Sequence, residues 1–489
     1  MSFWLWALAI VLAILFGVAI HDIFQKKHTI LRNFPVIGHL RYLIEKIGPE
    51  LRQYIVADND EELPFSRDSR RFIYASAKKE NAYFGFGTDN DLNQPGYVLF
   101  RHAAFPHESP PKEMADHLPM RKIMGESHGR THAFQPESAV FVSAMSFGSL
   151  SAQAIESLNR GSEIAGCLHN TGEGGISKHH RHGGGLIYQL GTGYFGARNP
   201  DGTFSMDRMM ASIDGANVKA IEIKLSQGAK PGLGGVLPGG KVTSEIAEAR
   251  GVEVGVSVNS PSRHRSFYDV ASMTNFCEEI ATATGIPVGI KSAVGEKAFW
   301  NELAAHMASS GTGPDFISVD GGEGGTGAAP LPFSDHVSLP FRQGFAEVYR
   351  AFAEIGLHER VTFLGAGRLG LPNEAMVAMA MGADGIGVAR EAMIAIGCVQ
   401  AQKCHDGHCP TGIATHNRWL TRGLDPTLKS VRFANYVAEL RHELVRLSNA
   451  MGAEHPSLVD PASVEIRLEA NHVKPIREIY DYDPAWRLR

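Results

Sequence analysis

The sequence predicts an α/β chain built on a closed (β/α)8 TIM barrel, with an N-terminal transmembrane helix, a mixed N-terminal extension and a helical C-terminal extension. Three observations carry this reading. Short apolar, β-branched runs alternate with segments of helical period from about Ala139 onward, polar glycine-rich stretches follow the runs, and the first residues form a long uncharged apolar block.

Taken in order, FWLWALAIVLAILFGVAI gives an uncharged run from Phe3 to Ile20. At ~1.5 Å per residue it spans about 27 Å, close to a hydrocarbon core of ~30 Å. A cleaved signal peptide is the alternative, but no Lys or Arg precedes the run and no A-x-A-like site follows it. Lys26 and Lys27 come after it, and the positive-inside rule then holds the rest of the chain in the cytoplasm. Residues 1–28 are thus expected to be a single-pass membrane anchor. Residues 29–130, with ELPFSRDSRRFIYASAKK and several prolines, read as an irregular, partly helical extension.

Residues 131–425 carry the barrel. Its strand candidates are AVFVSAM, CLHN, LIYQL, AIEIKL, PVGIKSA, FISVDG, VTFLGAG and GIGVA. Phe345, Val348, Tyr349, Phe352 and Ile355 mark one helix face between the sixth and seventh. SFGS, NTGEGG, QGAKPGLGG and GGEGGTGAAP follow strands one, two, four and six. In a barrel these strand ends converge on one rim, whereas a doubly wound sheet would concentrate them at its switch point, so their even spread favours the barrel. Residues 426–489 read as a helical, charged extension without a motif.

Composition narrows the function. The net charge of −5 and the lack of a basic block argue against a nucleic-acid partner. The 53 glycines, about 11% against a usual ~7%, point to loops that approach a ligand closely. Five cysteines in so long a chain do not make a disulfide framework, and Cys167 and Cys277, in apolar helical surroundings, read as buried inert thiols.

GAGRLG, residues 365–370, matches a dinucleotide-binding G-x-G-x-x-G with Asp384 downstream, but six preceding strands make it the seventh strand end of a barrel. Loops after strands seven and eight commonly hold a phosphate. Backbone N–H groups of Gly365, Gly367, Gly387 and Val388, with Arg390, are the candidates here; plain tight turns are the alternative. Lys291, at the end of the fifth strand, is placed to put positive charge beside a flavin N1. Glu173 and Lys230 make an acid/base and anion-binding pair, and Arg250 can grip a carboxylate in bidentate fashion; each could equally be an ordinary ion-pair residue.

Cys398, Cys404 and Cys409 fall within GCVQAQKCHDGHCP. The C-x5-C-x4-C spacing lacks the C-x2-C step of common zinc ribbons, although a Cys3His site with His405 or His408 stays open. The Cys-Pro step and the flavin-like rim favour an iron–sulfur cluster. Three thiolates suit a cubane lacking one corner, and a four-iron cluster with an outside ligand is the other option.

AMSFGS, NTGEGG, QGAKPG, GGTGA, the glycine phosphate loop and GC-x5-C-x4-CP-x-G occur in one order. In this the chain resembles the FMN-binding synthase domain of glutamate synthases over roughly residues 130–425. The resemblance implies a (β/α)8 barrel with FMN at its C-terminal rim and a [3Fe–4S] cluster on Cys398, Cys404 and Cys409. It implies that Ala144, Met145, Ser146, Asn170, Gln227, Lys291, Gly324 and Gly325 join the phosphate-loop residues around FMN. Glu173, Lys230, Gln227 and Arg250 would line a 2-oxoglutarate/2-iminoglutarate pocket, where reduced FMN delivers hydride to the imine carbon to give L-glutamate.

The departures are specific. An anchor stands where full-length glutamate synthases begin with an amidotransferase domain, and no NAD(P)H-binding half is found. Ammonia and electrons are therefore expected from separate proteins or, for ammonia, from solution. Leu233 and Val236 replace usually polar residues, and SPSRHRS at 260–266 differs from the family's version. The alternative is an amine or hydroxy-acid dehydrogenase passing electrons through FMN and the cluster to a membrane acceptor.

Overall fold

The computed structural model describes residues 3–25, 27–56, 58, 62–80, 85, 87–108 and 117–486, which form two compact units, Met1–Arg70 and Arg71–Arg489. Lys26, one of the two lysines used above to orient the anchor, lies outside the described residues.

In the first unit, Phe3–Phe24 is one 22-residue helix with mean hydropathy 2.7, long and apolar enough to cross a membrane. Its large apolar side chains, such as Phe3, Trp4 and Phe16, are exposed. At its end Asp22 is fully buried and accepts hydrogen bonds from the Val36 N–H (2.9 Å) and His39 Nε2 (2.9 Å), bridging past the short helix Thr29–Asn33. A further helix, Gly38–Leu51, exposes Leu40, Leu43, Ile44, Ile47 and Leu51, a stripe at helical spacing.

In the second unit, all eight expected strands close into one parallel barrel. They are β1 (Val140–Val142), β2 (His169–Asn170), β3 (Leu186–Leu190), β4 (Val218–Lys224), β5 (Val288–Ser292), β6 (Phe316–Asp320), β7 (Thr362–Ala366) and β8 (Gly385–Val388). β8 pairs back onto β1, with Ile386 opposite Val140 and Val388 opposite Val142. The strands read as continuous apolar runs because both of their faces are covered. Ser151 caps the helix after β1, Ala152–Ala165, accepting from the Ala154 N–H at 3.2 Å, and Gly166 ends it in the left-handed region.

The end of the barrel at the strand N-termini is locked by charge. Arg130 donates to both oxygens of Glu278 (2.7 Å each) and through Nε to Asp315 (3.0 and 3.1 Å). Asp315 also receives His128 Nδ1 (2.7 Å) and the Val288 N–H (2.8 Å). Asp384, the acidic residue of the dinucleotide-motif alternative, sits at this same end. It accepts from Lys122 Nζ (3.0 Å) and the Phe363 N–H (2.8 Å), so it holds strands together and reads no ribose.

Two local expectations differ and one holds. Phe345, Val348, Tyr349 and Phe352 are buried on the helix Phe341–Ala353, but Ile355 lies past its end and is exposed, because the pattern outruns the helix. The C-terminal extension has the helix Pro426–Ala450 and also two strands: Val464–Glu469 pairs antiparallel with Val98–Phe100 of the N-terminal extension on one side and with His472–Pro475 on the other. Cys167 lies just beyond its helix; burial pushes its thiol up to about 11, and Cys277 is likewise buried and shifted upward, so neither is a reactive thiolate.

Candidate active site

The strand C-termini bring the predicted residues onto one rim. From the loop after β2, Glu173 reaches across the barrel mouth to Lys224, the last residue of β4, whose Nζ donates to Glu173 Oε1 at 2.7 Å. The same Nζ donates to Gln227 Oε1 at 2.7 Å, fixing the QGAKPG loop to the carboxylate. Gly191, just past β3, leaves room for this reach: a Cβ there would collide with Glu173 Oε2.

Two further cations face Glu173 without touching it. Lys230 is 8% exposed, and its Nζ is 3.5 Å from the Gly234 carbonyl. Arg250, at the end of the short helix Ser244–Arg250, is 5% exposed. Its Nη2 donates to the Phe147 carbonyl (3.2 Å) and lies 3.4 Å from Ser146 Oγ, both in the loop after β1. The guanidinium also covers the Phe195 ring at 5.0 Å, while its buried Nε has no partner.

The electrostatics follow from this crowding. Burial pushes the Glu173 carboxyl up, but Lys224, Lys230 and Arg250 outweigh it and hold the group below its usual range, hence ionised. Burial and the Lys224 charge draw Lys230 below the ordinary lysine value, opposed by Glu173. Burial pulls Arg250 to about 10, still protonated at neutral pH.

On the neighbouring strand β5, in register with Lys224, Lys291 is buried, 3.4 Å from Asp320 Oδ2 at the end of β6. Burial alone would lower its pKa, but Asp320, Glu222 and Glu173 raise it, so it is a fixed cation. Asp320 also accepts the Gly228 N–H at 3.0 Å, tying the loop after β4 to β6. Arg390, after β8, donates to the Glu323 carbonyl in the loop after β6, and a Cβ at Gly325 would meet its Cδ at 2.7 Å. Gly324 turns the same loop, its N–H on the Gly321 carbonyl at 2.9 Å. Gly365 lies within β7 and Gly387 and Val388 within β8, while Gly367 follows β7 with φ at 133°.

Ala144, Met145 and Ser146 follow β1, and Asn170 ends β2. The Asn170 amide donates to Glu222 Oε1 at 2.8 Å, and its own oxygen accepts the Gly172 N–H at 3.0 Å.

Sequence reasoning missed three residues. Lys224 is the cation in contact with Glu173. Glu222, buried in the barrel, collects Asn170, Gln189 Nε2 (2.6 Å) and Ser318 Oγ (2.6 Å). Glu391, also buried, accepts the Gly370 and Ala389 N–H groups at 3.1 and 3.3 Å, setting the loops after β7 and β8.

The cysteine loop abuts this rim. The Ile413 carbonyl accepts the Ser151 N–H (2.7 Å) and His416 Nε2 lies 2.9 Å from the Gly148 carbonyl, stitching the loop to the segment after β1. Lys241 Nζ donates to the Cys404 carbonyl at 3.3 Å, and Cys398 is held through its carbonyl by Tyr74 Oη at 2.6 Å. Burial raises the Cys409 thiol, but the N–H groups of Ala414, Thr411 and Ile413 and the Thr411 hydroxyl, all directed at the sulfur, bring it below its ordinary value. No disulfide engages the three.

Comparison with known proteins decides the lineage. Residues 109–454 match the conserved region in glutamate synthase. The chain belongs to the glutamate synthase family. A similar relative is the glutamate synthase large subunit-like protein YerD of Bacillus subtilis, 38% identical over 484 residues and covering 92% of each chain. The archaeal-type glutamate synthase [NADPH] of Thermotoga neapolitana is 37% identical over 319 residues, 65% of this chain and 60% of its own. The ferredoxin-dependent glutamate synthase of Antithamnion sp. is 34% identical over 331 residues, 62% of this chain but 20% of that protein. Glutamate synthases are oxidoreductases acting on CH–NH2 donors, and this chain is an enzyme of that family.

Proposed function

We propose that this enzyme reduces a 2-imino acid, formed from 2-oxoglutarate and ammonia, to L-glutamate, using FMN on the barrel rim and a [3Fe–4S] cluster on Cys398, Cys404 and Cys409. One observation carries the reading: a single ionised carboxylate, Glu173, faces three cations, of which only Lys224 is in contact with it. Lys230 and the unpartnered Nε of Arg250 are left for a dianionic substrate.

Lys291, the Arg390 side chain and the glycine loops after β6 and β7 fit a flavin phosphate and ring on the same rim, and Lys291 supplies the fixed positive charge that favours an anionic reduced ring. FMN, when bound, supplies the hydride equivalent. Lys230 and Arg250 orient the substrate carboxylates. Glu173, ionised, takes a proton from ammonium as the nitrogen adds to the oxo carbon and returns it to the departing water. For the cluster, the N–H donors around Cys409 stabilise a thiolate, as iron ligation requires. A single tetrahedral ion would draw the sulfurs close, and they do not form a group with ligand atoms within 4.8 Å.

The test is anaerobic. Photoreduced protein given 2-oxoglutarate and ammonium is expected to reoxidise its flavin and release glutamate; reoxidation no faster than in buffer ends the glutamate reading. Bleaching of the oxidised flavin by an amine or 2-hydroxy acid would favour the dehydrogenase alternative, which the exposed Leu233 and Val236 beside Lys230 motivate. Iron and acid-labile sulfide near three and four per chain, both lost in Cys404→Ser, check the cluster.

We also propose that Phe3–Phe24 anchors the protein in the membrane, with the catalytic unit cytoplasmic. At ~1.5 Å per residue its 22 residues span about 33 Å, and the apolar stripe of Gly38–Leu51 suits a helix lying in the interface. The chain should stay with carbonate-washed membranes and resist external protease in sealed cells; release into the wash speaks against the anchor.

A further inference from the structure

We propose that Glu156, His179 and His182 form a binding site for a divalent transition-metal ion of the Zn2+ type, separate from the flavin rim and the cysteine loop. The proposal is independent of the enzymatic reading above.

Two separate pieces of chain supply the donors. Glu156 stands on the helix Ala152–Ala165, His179 in the turn Lys178–His180, and His182 in the stretch leading to β3. One ligand atom from each lies within 4.8 Å of the other two. Among the described residues this is the one such group of His, Cys, Asp and Glu. Two imidazoles and a carboxylate are the borderline donors that Zn2+ takes in threes, with a fourth position left to water.

The arrangement is poorly explained as ion pairing alone. His182 Nε2 and Glu156 Oε2 are 3.9 Å apart, too far for a hydrogen bond. Bonds of ~2.0–2.1 Å to a tetrahedral ion put neighbouring donors roughly 3.3–3.4 Å apart, so donors now within 4.8 Å of one another would close by at most about 1.5 Å through side-chain rotation. Side-chain exposures of 23% for Glu156, 12% for His179 and 26% for His182 shield the group yet leave it reachable.

The surrounding charges permit a cation. Arg160 Nε binds the other Glu156 oxygen, Oε1, at 2.8 Å, leaving Oε2 toward the histidines. Lys178 is paired with Glu245 at 2.9 Å, and Arg181 is turned onto the carbonyls of Asp214 (3.0 Å) and Ser212 (3.1 Å). Glu245 Oε1 is also 2.8 Å from His179 Nε2, a second carboxylate at the group. An ion here would tie the turn after β2 to the helix after β1. The His179 ring packs against Phe147 at 5.2 Å, and the Phe147 carbonyl holds Arg250, so the tie would reach the candidate active site.

The test uses the full-length protein as purified, titrated with Zn2+ against a chromophoric chelator and, separately, with Co2+. Wild type and Cys404→Ser should each bind one equivalent, and bound Co2+ should show d–d bands without thiolate charge transfer. Glu156→Gln and His182→Gln, with metal-free melting close to wild type, should weaken binding by at least ~100-fold. The proposal is overturned if wild type binds no equivalent beyond those lost in Cys404→Ser, if the Co2+ spectrum is that of a thiolate site, or if His182→Gln binds undiminished.

Discussion

The barrel carries buried ionic clusters at both ends, and they are built to opposite plans. At the strand N-termini, Arg130 and His128 meet Glu278 and Asp315, with further backbone N–H groups completing the carboxylates. At the strand C-termini, three cations surround the one carboxylate of Glu173, and a buried guanidinium nitrogen has no partner. A closed cluster holds a fold together. An open one, short of negative charge, is completed by a ligand.

The two ends should respond most differently to substitution at Glu173. Glu173→Gln keeps the shape of the side chain but not its proton transfer, so kcat is expected to fall about 10²–10⁴-fold, while loss of the counter-charge of Lys224 lowers the denaturant midpoint. Coupled glutamate assay and urea titration measure both. A kcat within threefold of wild type would make Glu173 a structural ion-pair partner of Lys224 and nothing more.

At the other end of the barrel the residue to change is Arg130. Arg130→Ala leaves Glu278 and the buried Asp315 without their guanidinium, and breaking such a pair costs about 3–5 kcal/mol. Urea unfolding should show that loss, while the surviving folded enzyme keeps its KM. A changed KM with unchanged stability would assign the cluster to the site rather than to the fold.

How much of this could be read from the sequence depended on what each residue faces. The eight strands were legible because parallel barrel strands are apolar on both faces and end in glycine turns. Glu173, Lys230 and Arg250 were legible as charges in or near such turns. Lys224 and Glu222 were not, because they sit inside AIEIK, where charge reads as ordinary strand polarity. The available signal was their i, i+2 spacing, which puts two charges on one face of a strand that must point into a closed barrel. The strand Val464–Glu469 escaped because its partner, Val98–Phe100, lies more than 360 residues earlier and no local period announces such a pairing, and with it went His472–Pro475, the edge strand that pairs onto it.

The smallest effect separates ligand binding from folding within one residue. Burial and Lys224 place the Lys230 pKa below the ordinary ~10.4 of lysine. An anionic substrate needs the protonated ammonium, so KM for 2-oxoglutarate should rise as pH climbs through that lowered value. Lys230→Met should show the full loss already at neutral pH, about 10–100-fold for a charged hydrogen bond of ~1.5–3 kcal/mol. Lys230→Arg should move the alkaline rise to higher pH. The ligand-free enzyme runs the other way: between the folded and unfolded pKa values the unfolded chain binds more protons, so this residue's contribution to stability increases with pH. Opposite slopes for substrate affinity and apo stability, both abolished in Lys230→Met, identify a cation kept buried at a cost to the fold because the ligand requires it. Parallel slopes would place Lys230 with Arg130, among the residues that serve the barrel itself.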